Sequence, residues 1–116
     1  RLRAEKVAVL STLLRHGGRF LQHLLSLLPA LGAAWARAPA SVERLLKGLQ
    51  PATRQLHVLC NHIKAVRHAA LLPLVPRTKR TLETLLFRVK ALAMQSGAVG
   101  NFRIANLKVG ARWTYH

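Results

Sequence analysis

Apolar residues recur every three or four positions along most of the chain, which is the pattern of amphipathic helices. The first apolar stripe lies between Ala4 and Leu14, and a second runs from Phe20 to Leu28. Gly17 and Gly18 are expected to break the chain between these stripes. Pro29 is expected to end or kink the second helix, because proline lacks an amide donor and clashes with the preceding turn.

The middle of the chain predicts two further helices. Ser41 is a candidate N-cap for the first, after the turn marked by Pro39. The buried face of this helix is expected to comprise Val42, Leu45, Leu46 and Leu49. Gly48 and Pro51 predict a boundary between this helix and the next one. A new stripe then contains Leu56, Leu59, Cys60 and Ile63, and residues 65–75 are expected to form a loop packed against the core.

The strongest helical pattern begins near Pro76 and runs to about Met94. Its apolar arc comprises Leu82, Leu85, Leu86, Val89, Leu92 and Ala93. Phe87 and Met94 fall outside that arc and beside each other, which predicts a second apolar face covered by a neighbouring helix. A turn over residues 95–101 and a final short helix or extended piece from Phe102 are expected to follow.

These patterns predict an all-α fold, either an antiparallel helical bundle or a segment of an α-solenoid, with about five to six helices. No repeat of fixed period is visible in the sequence. The residues expected to pack in the core are Leu56, Leu59, Cys60, Leu82, Leu85, Leu86 and Val89.

The charge balance makes the chain strongly basic. Nineteen Lys and Arg face three Glu, for a net charge of +16, while 51% of the residues are apolar. That apolar content favours a folded chain over a disordered polycation. Such a charge attracts phosphate polymers, anionic membranes or an acidic protein. Alternatively, the composition reflects coding bias and the acidic counterpart lies in another segment, since the start at Arg1 suggests a fragment.

The densest basic cluster consists of Arg77, Lys79 and Arg80, at the start of the strongest helix. There the helix dipole adds positive potential, so the cluster is a candidate phosphate contact. Few aromatic residues accompany it, and binding is therefore expected to be to the backbone and sensitive to salt. A solvated face, or one that meets an acidic partner helix, is the competing interpretation.

Metal, cofactor and catalytic sites are not expected. His57 and Cys60 can share a helix face, but His62 lies on another one, and the single cysteine excludes an intrachain disulfide. Only three carboxylates exist and no phosphate-binding glycine loop is present, so the sequence predicts neither an enzyme nor a small-molecule substrate. The longest uncharged run, residues 20–36, is shorter than the roughly 20 apolar residues of a membrane span.

Three strings between residues 53 and 108 carry a family resemblance: TRQLHVLCNHIK, VPRTKRTLETLLFRVKALAM and ANLK. They are similar to the C-terminal region of the Fanconi anaemia group D2 family. Upstream of these strings the agreement with the family's pattern is looser and involves Gly18, Arg19, Phe20 and Pro29. Residues 1–108 are therefore expected to form a C-terminal helical segment, and residues 109–116 a divergent tail without an assigned function.

The resemblance implies a large nuclear α-solenoid that pairs with the Fanconi anaemia group I protein, is monoubiquitinated and clamps DNA in interstrand crosslink repair. It implies a scaffold without catalytic activity. The ubiquitin-accepting lysine of the family lies far upstream of this region, so none of the lysines of this chain inherits that role. Two alternatives stay open: an independent basic helical module that binds nucleic-acid phosphates, and a membrane-associated hairpin built on residues 20–36.

Overall fold

The computed structural model describes residues 3–95 and the backbone of three short strands beyond them. Its helices are α1 (Ala4–Arg37), α2 (Pro39–Val66) and α3 (Leu74–Gln95). The strands are β1 (Phe102–Ile104), β2 (Leu107–Val109) and β3 (Thr114–Tyr115). The predicted all-α class is confirmed for residues 3–95. The predicted turn over residues 95–101 lies, after Gln95, outside the described residues.

The number of helices predicted from the sequence was wrong, because three long helices stand where five to six were expected in the described part of the chain. Helix α1 continues through Gly17, Gly18 and Pro29, and α2 continues through Gly48 and Pro51. An interior glycine costs about 1 kcal/mol and an interior proline about 3 kcal/mol. Burial of a continuous apolar stripe along each helix offsets these local costs.

The start of α2 also differs from the prediction. Pro39 occupies the first turn, where its missing amide donor would be unpaired in any case, and Ser41 lies inside the helix. The N-cap residue, Ala38, makes no side-chain hydrogen bond. Instead, its amide donates to the carbonyl of Ala34 at the end of α1. One residue therefore closes one helix and opens the next.

The three helices form an up-down-up bundle with extents of 49 × 25 × 19 Å. Arg67 ends α2 in the left-handed conformation, with φ of 60°. The linker 67–73 then turns back on itself, and its backbone amides at Leu71 and Leu72 donate to the carbonyl of His68. Leu71 is fully buried. The burial of Leu71 confirms the prediction of a linker packed against the core. The reversal of the chain at this linker leaves α1 and α3 parallel.

The core consists of two apolar clusters arranged along the bundle. The larger joins Leu21, Leu28 and Trp35 of α1 to residues of α2 and to most of the α3 arc. The smaller cluster lies towards the linker and comprises Leu10, Leu14, Cys60, Ile63, Leu71 and Val75. Of the residues expected in the core, Leu56, Cys60, Leu82, Leu85, Leu86 and Val89 are buried. Leu59 is half-buried and packs against the smaller cluster.

Some apolar residues that the sequence pattern placed on covered faces are exposed. Phe87 is 73% and Met94 is 69% exposed, so no described element covers the predicted second face of α3. Leu13 and Leu45 are about half exposed as well. Leu13 and Leu45 lie at the edge of the face that their helix buries, whereas Phe87 and Met94 lie on the side of α3 that points away from the other two helices.

The strands pair in the order β1, β2, β3, with antiparallel neighbours. The residue pair at the centre of the first ladder is Arg103 and Lys108. The backbone of β1 lies alongside α2. An extended piece, one of the two predicted alternatives after Phe102, is the one that the structure contains.

Candidate nucleic-acid interface

A basic groove lies between the middle of α1 and the start of α3. It has a volume of about 500 Å³. Arg15 and Arg19 of α1 line one wall, and Arg77 of α3 lines the other. The remaining lining residues are Leu14, Gly18, Gln22, Leu74, Thr78 and Thr81. Among the described residues, no carboxylate lines this groove.

Helix geometry places the three guanidinium groups around the groove. Arg15 and Arg19 are four residues apart and therefore lie on the same face, about 6 Å apart along the axis of α1. Arg77 belongs to the first turn of α3. Because the linker brings the start of α3 beside the first half of α1, the parallel helices place Arg77 opposite the α1 pair.

The chemistry of the groove is that of an anion site. The hydroxyl of Thr78 donates to the carbonyl of Leu74 at 3.1 Å, and that of Thr81 to the carbonyl of Arg77 at 3.0 Å. Those two protons are already engaged. The guanidinium groups and the amide of Gln22 are therefore the donors left for a ligand, and guanidinium forks bind the oxygens of phosphate or carboxylate.

The structure separates the basic cluster that the sequence suggested. Residues two apart on a helix point about 200° away from each other. Arg77 lines the groove with α1, whereas Lys79 is half-buried near Cys60 of α2. There, burial raises the pKa of the Cys60 thiol, and the positive charge of Lys79 opposes that rise. Arg80 is exposed and does not line the groove.

Sequence reasoning missed Arg15 and Arg19 as part of the site. A signal was present, since two arginines four residues apart on a helix must share a face. Their partner across the groove is 58 or more positions away in the chain, so only the packing of α3 against α1 reveals the third guanidinium.

The histidine and cysteine motif of α2 has a structural role. The side chains of His57 and Asn61 approach each other at 3.2 Å between Nε2 and Nδ2. Cys60 is fully buried in the smaller core cluster, and His62 is exposed on another face. Within the described part of the chain, no group of three His, Cys, Asp or Glu side chains is placed to hold a metal ion.

A second groove, of about 410 Å³, has an almost wholly apolar lining and lies between the second half of α1 and the first half of α2. Leu28 and Leu31 form one wall, Val42 and Leu46 the other, and Leu85 contributes from α3. None of the described helices combines the length and the apolarity needed to cross a membrane.

Comparison with known proteins identifies the family. Residues 4–111 match the family model described as "Fanconi anaemia protein FancD2 nuclease". The chain belongs to the FancD2 family. The Fanconi anemia group D2 protein of Gallus gallus is 40% identical over 85 residues, which cover 72% of this chain. The homologues of Mus musculus and Drosophila melanogaster are each 36% identical over 101 residues, covering 86% and 80% of this chain.

The match concerns a small part of each FancD2 relative. The chain spans about 6 to 7% of the length of these proteins. No solved structure matches the chain. The family of the predicted resemblance is thereby confirmed, while its placement in the C-terminal region stays a prediction.

Proposed function

We propose that this chain is a non-enzymatic segment of a Fanconi anaemia DNA-repair scaffold that contacts the backbone of duplex DNA. The observation that carries the proposal is the match to the FancD2 family over residues 4–111. The charge of the chain agrees with a DNA contact, because 19 basic side chains against three acids attract a polyanion.

The finer features of the proposal follow the family resemblance. In this proposal the segment belongs to the C-terminal part of an α-solenoid that acts in the nucleus, pairs with the Fanconi anaemia group I protein and clamps DNA at interstrand crosslinks. The complete protein is monoubiquitinated on a lysine upstream of this segment. The uncovered apolar groove and the exposed Phe87 support a role inside a larger helical assembly, since such surfaces are normally covered.

The absence of catalysis is argued from the carboxylates, although the family description contains the word nuclease. Phosphodiester hydrolysis by metal ions requires several carboxylate or histidine ligands around one site. Here Glu5 lies in the first turn of α1, Glu43 near the start of α2, and Glu83 in the middle of α3. We propose that these three side chains form surface interactions and that this segment supplies no catalytic residue.

The scaffold role is tested in cells that express the complete protein containing this segment. Replacement of Leu85 and Val89 by Asp should unfold the segment and make the cells hypersensitive to an agent that crosslinks DNA strands. A matched control replaces the exposed Arg44 and Arg54 by Asp. Normal survival of the Leu85 and Val89 variant, with the segment shown to be unfolded, would contradict the proposal.

The non-enzymatic part is tested with the purified 116-residue chain, supercoiled plasmid and Mg²⁺ or Mn²⁺. We expect no nicking above the level of a buffer control over several hours. Nicking that disappears in a variant with Glu5, Glu43 and Glu83 all replaced by Gln would establish a nuclease and overturn this part of the proposal.

A further inference from the structure

We propose that the groove between α1 and α3 is the place where this chain holds DNA, with Arg15, Arg19 and Arg77 each binding backbone phosphates of a duplex. This assignment rests on the proposed DNA-repair function and adds the site. It selects three of the 19 basic residues, and it leaves out Lys79, which the sequence cluster had included.

The groove concentrates positive charge more strongly than a single helix face does. Two arginines of α1 and one of α3 line a recess of about 500 Å³, and no described carboxylate lines it. Charges of one sign around a concave surface focus their field, which raises the local concentration of an anionic ligand. A further recess with a basic rim, around Lys47 and Arg54, is formed along α2, and none of the described residues that line it comes from a second helix.

The donor set favours phosphate in a repeating polymer over other anions. Arg15 and Arg19 present two forks about 6 Å apart along α1. Each strand of a duplex carries a phosphate about every 3.4 Å of its axis, so two phosphates separated by one other, about 7 Å apart along the axis, can engage both forks at once. Within residues 3–95, no aromatic side chain lines the groove for base stacking. Recognition is therefore of the backbone and independent of sequence.

The test measures binding of a fluorescent 20-base-pair duplex to the 116-residue chain by anisotropy across a series of salt concentrations. The groove variant carries Arg15→Gln, Arg19→Gln and Arg77→Gln. A matched control carries Arg37→Gln, Arg44→Gln and Arg54→Gln, which removes the same charge from exposed positions outside the groove. Circular dichroism melts of both variants are used to check that each keeps the fold.

We expect the slope of log K against log salt to fall by about 2 to 3 in the groove variant, since each lost phosphate contact removes about 0.9. Affinity at low salt should fall at least tenfold. The control should keep most of the slope of the unmodified chain. Equal losses in the two variants would show diffuse attraction and overturn the groove assignment, while the proposed DNA contact would stand.

If the chain does not contact DNA at all, the binding experiment gives a different result. If the unmodified chain does not bind duplex DNA at low salt, both the DNA contact and the groove assignment fall. Vesicles of phosphatidylserine serve as a second anionic surface. If the groove variant loses binding to the vesicles and retains full affinity for DNA, the groove recognises lipid headgroups and the proposal is wrong.

A position-specific readout complements the affinities. A photoreactive residue in place of Gln22, which lines the groove, should crosslink to the duplex on irradiation. The same residue in place of the exposed Ala40, in the first turn of α2 and outside the groove, should give little product. Stronger crosslinking from position 40 than from position 22 would exclude the groove as the site.

Discussion

At the scale of single residues, Gly17 shows how the bundle depends on one missing side chain. It is buried where α1 crosses α2, and a Cβ atom there would overlap the Cδ2 atom of Leu56. Gly18, its neighbour, has no such contact within 4 Å. Two adjacent glycines therefore have different roles, and only the first is required by a close approach of helices.

A pair of alanine substitutions tests this difference. Gly17→Ala should lower the free energy of unfolding by about 1 to 3 kcal/mol, because Leu56 must leave its rotamer or the helices must separate. Gly18→Ala should leave stability unchanged or raise it by up to about 1 kcal/mol, because alanine is the better helix former. Urea unfolding of both variants gives the comparison. A larger loss for Gly18→Ala would contradict the packing described for α1 and α2.

Cys60 provides a second test at this scale, because it is the chain's single thiol. Burial raises its pKa, and the nearby charge of Lys79 only partly opposes this effect. The reactive thiolate is therefore scarce near neutral pH and shielded from reagents. Ellman's reagent should react far more slowly with the native chain than with the chain in denaturant. Similar rates in the two conditions would show that Cys60 is not in the core.

The raised pKa of Cys60 determines the direction in which the stability of the fold changes with pH. A raised folded pKa stabilises the fold fully below the pKa of the unfolded thiol, and this contribution is lost as pH rises through the folded value. The unmodified chain should therefore lose stability as pH rises above the pKa of the unfolded thiol, and Cys60→Ala should make this loss smaller. Melts at neutral and alkaline pH, compared with the unmodified chain, measure the effect.

At the scale of the helices, α3 separates residues that hold the bundle together from those that do not. Leu85 is 3% exposed in the larger core cluster, while Arg80 is exposed. Leu85→Ala should cost about 2 to 5 kcal/mol, and Arg80→Ala should cost little. Thermal melts of both variants measure the two losses of stability. Equal melting temperatures would refute the assignment of the faces of α3.

The prolines of the helices give another comparison. Pro29 is exposed inside α1, where it removes a backbone hydrogen bond, and Pro39 lies in the first turn of α2, where no bond is lost. Pro29→Ala should raise stability by about 1 to 3 kcal/mol. Pro39→Ala should leave stability unchanged or lower it slightly. Denaturant unfolding checks both values, and a fall in stability for Pro29→Ala would contradict a continuous α1 held by its packed face.

At the scale of the whole molecule, charge opposes compactness. A net charge of +16 on 116 residues produces self-repulsion that salt screens. The melting temperature should therefore rise by several degrees between about 10 mM and 300 mM NaCl. Replacement of four exposed arginines outside the groove by Gln should shrink that rise. A melting temperature that falls with added salt would show that attractive ion pairs outweigh the repulsion.

The sequence by itself determined the helical class, the buried arc of α3 and the family, because these depend on local period and on residue strings within one segment. It predicted too many helices because Gly17, Pro29 and Pro51 are breakers by local propensity, whereas burial against two neighbours keeps the helices continuous. That contribution depends on residues distant in the chain, so local patterns cannot supply it.

Only the tertiary structure decided where the basic residues act. The sequence grouped Arg77 with Lys79 because they are neighbours in the chain, yet the turn of the helix sends them to opposite sides of α3. Packing of α3 parallel to α1 brings Arg77 beside Arg15 and Arg19 instead. Proximity in space follows the path of the linker and the choice of packed faces. These features arise from the burial of all three helices together and are absent from any single stretch of sequence.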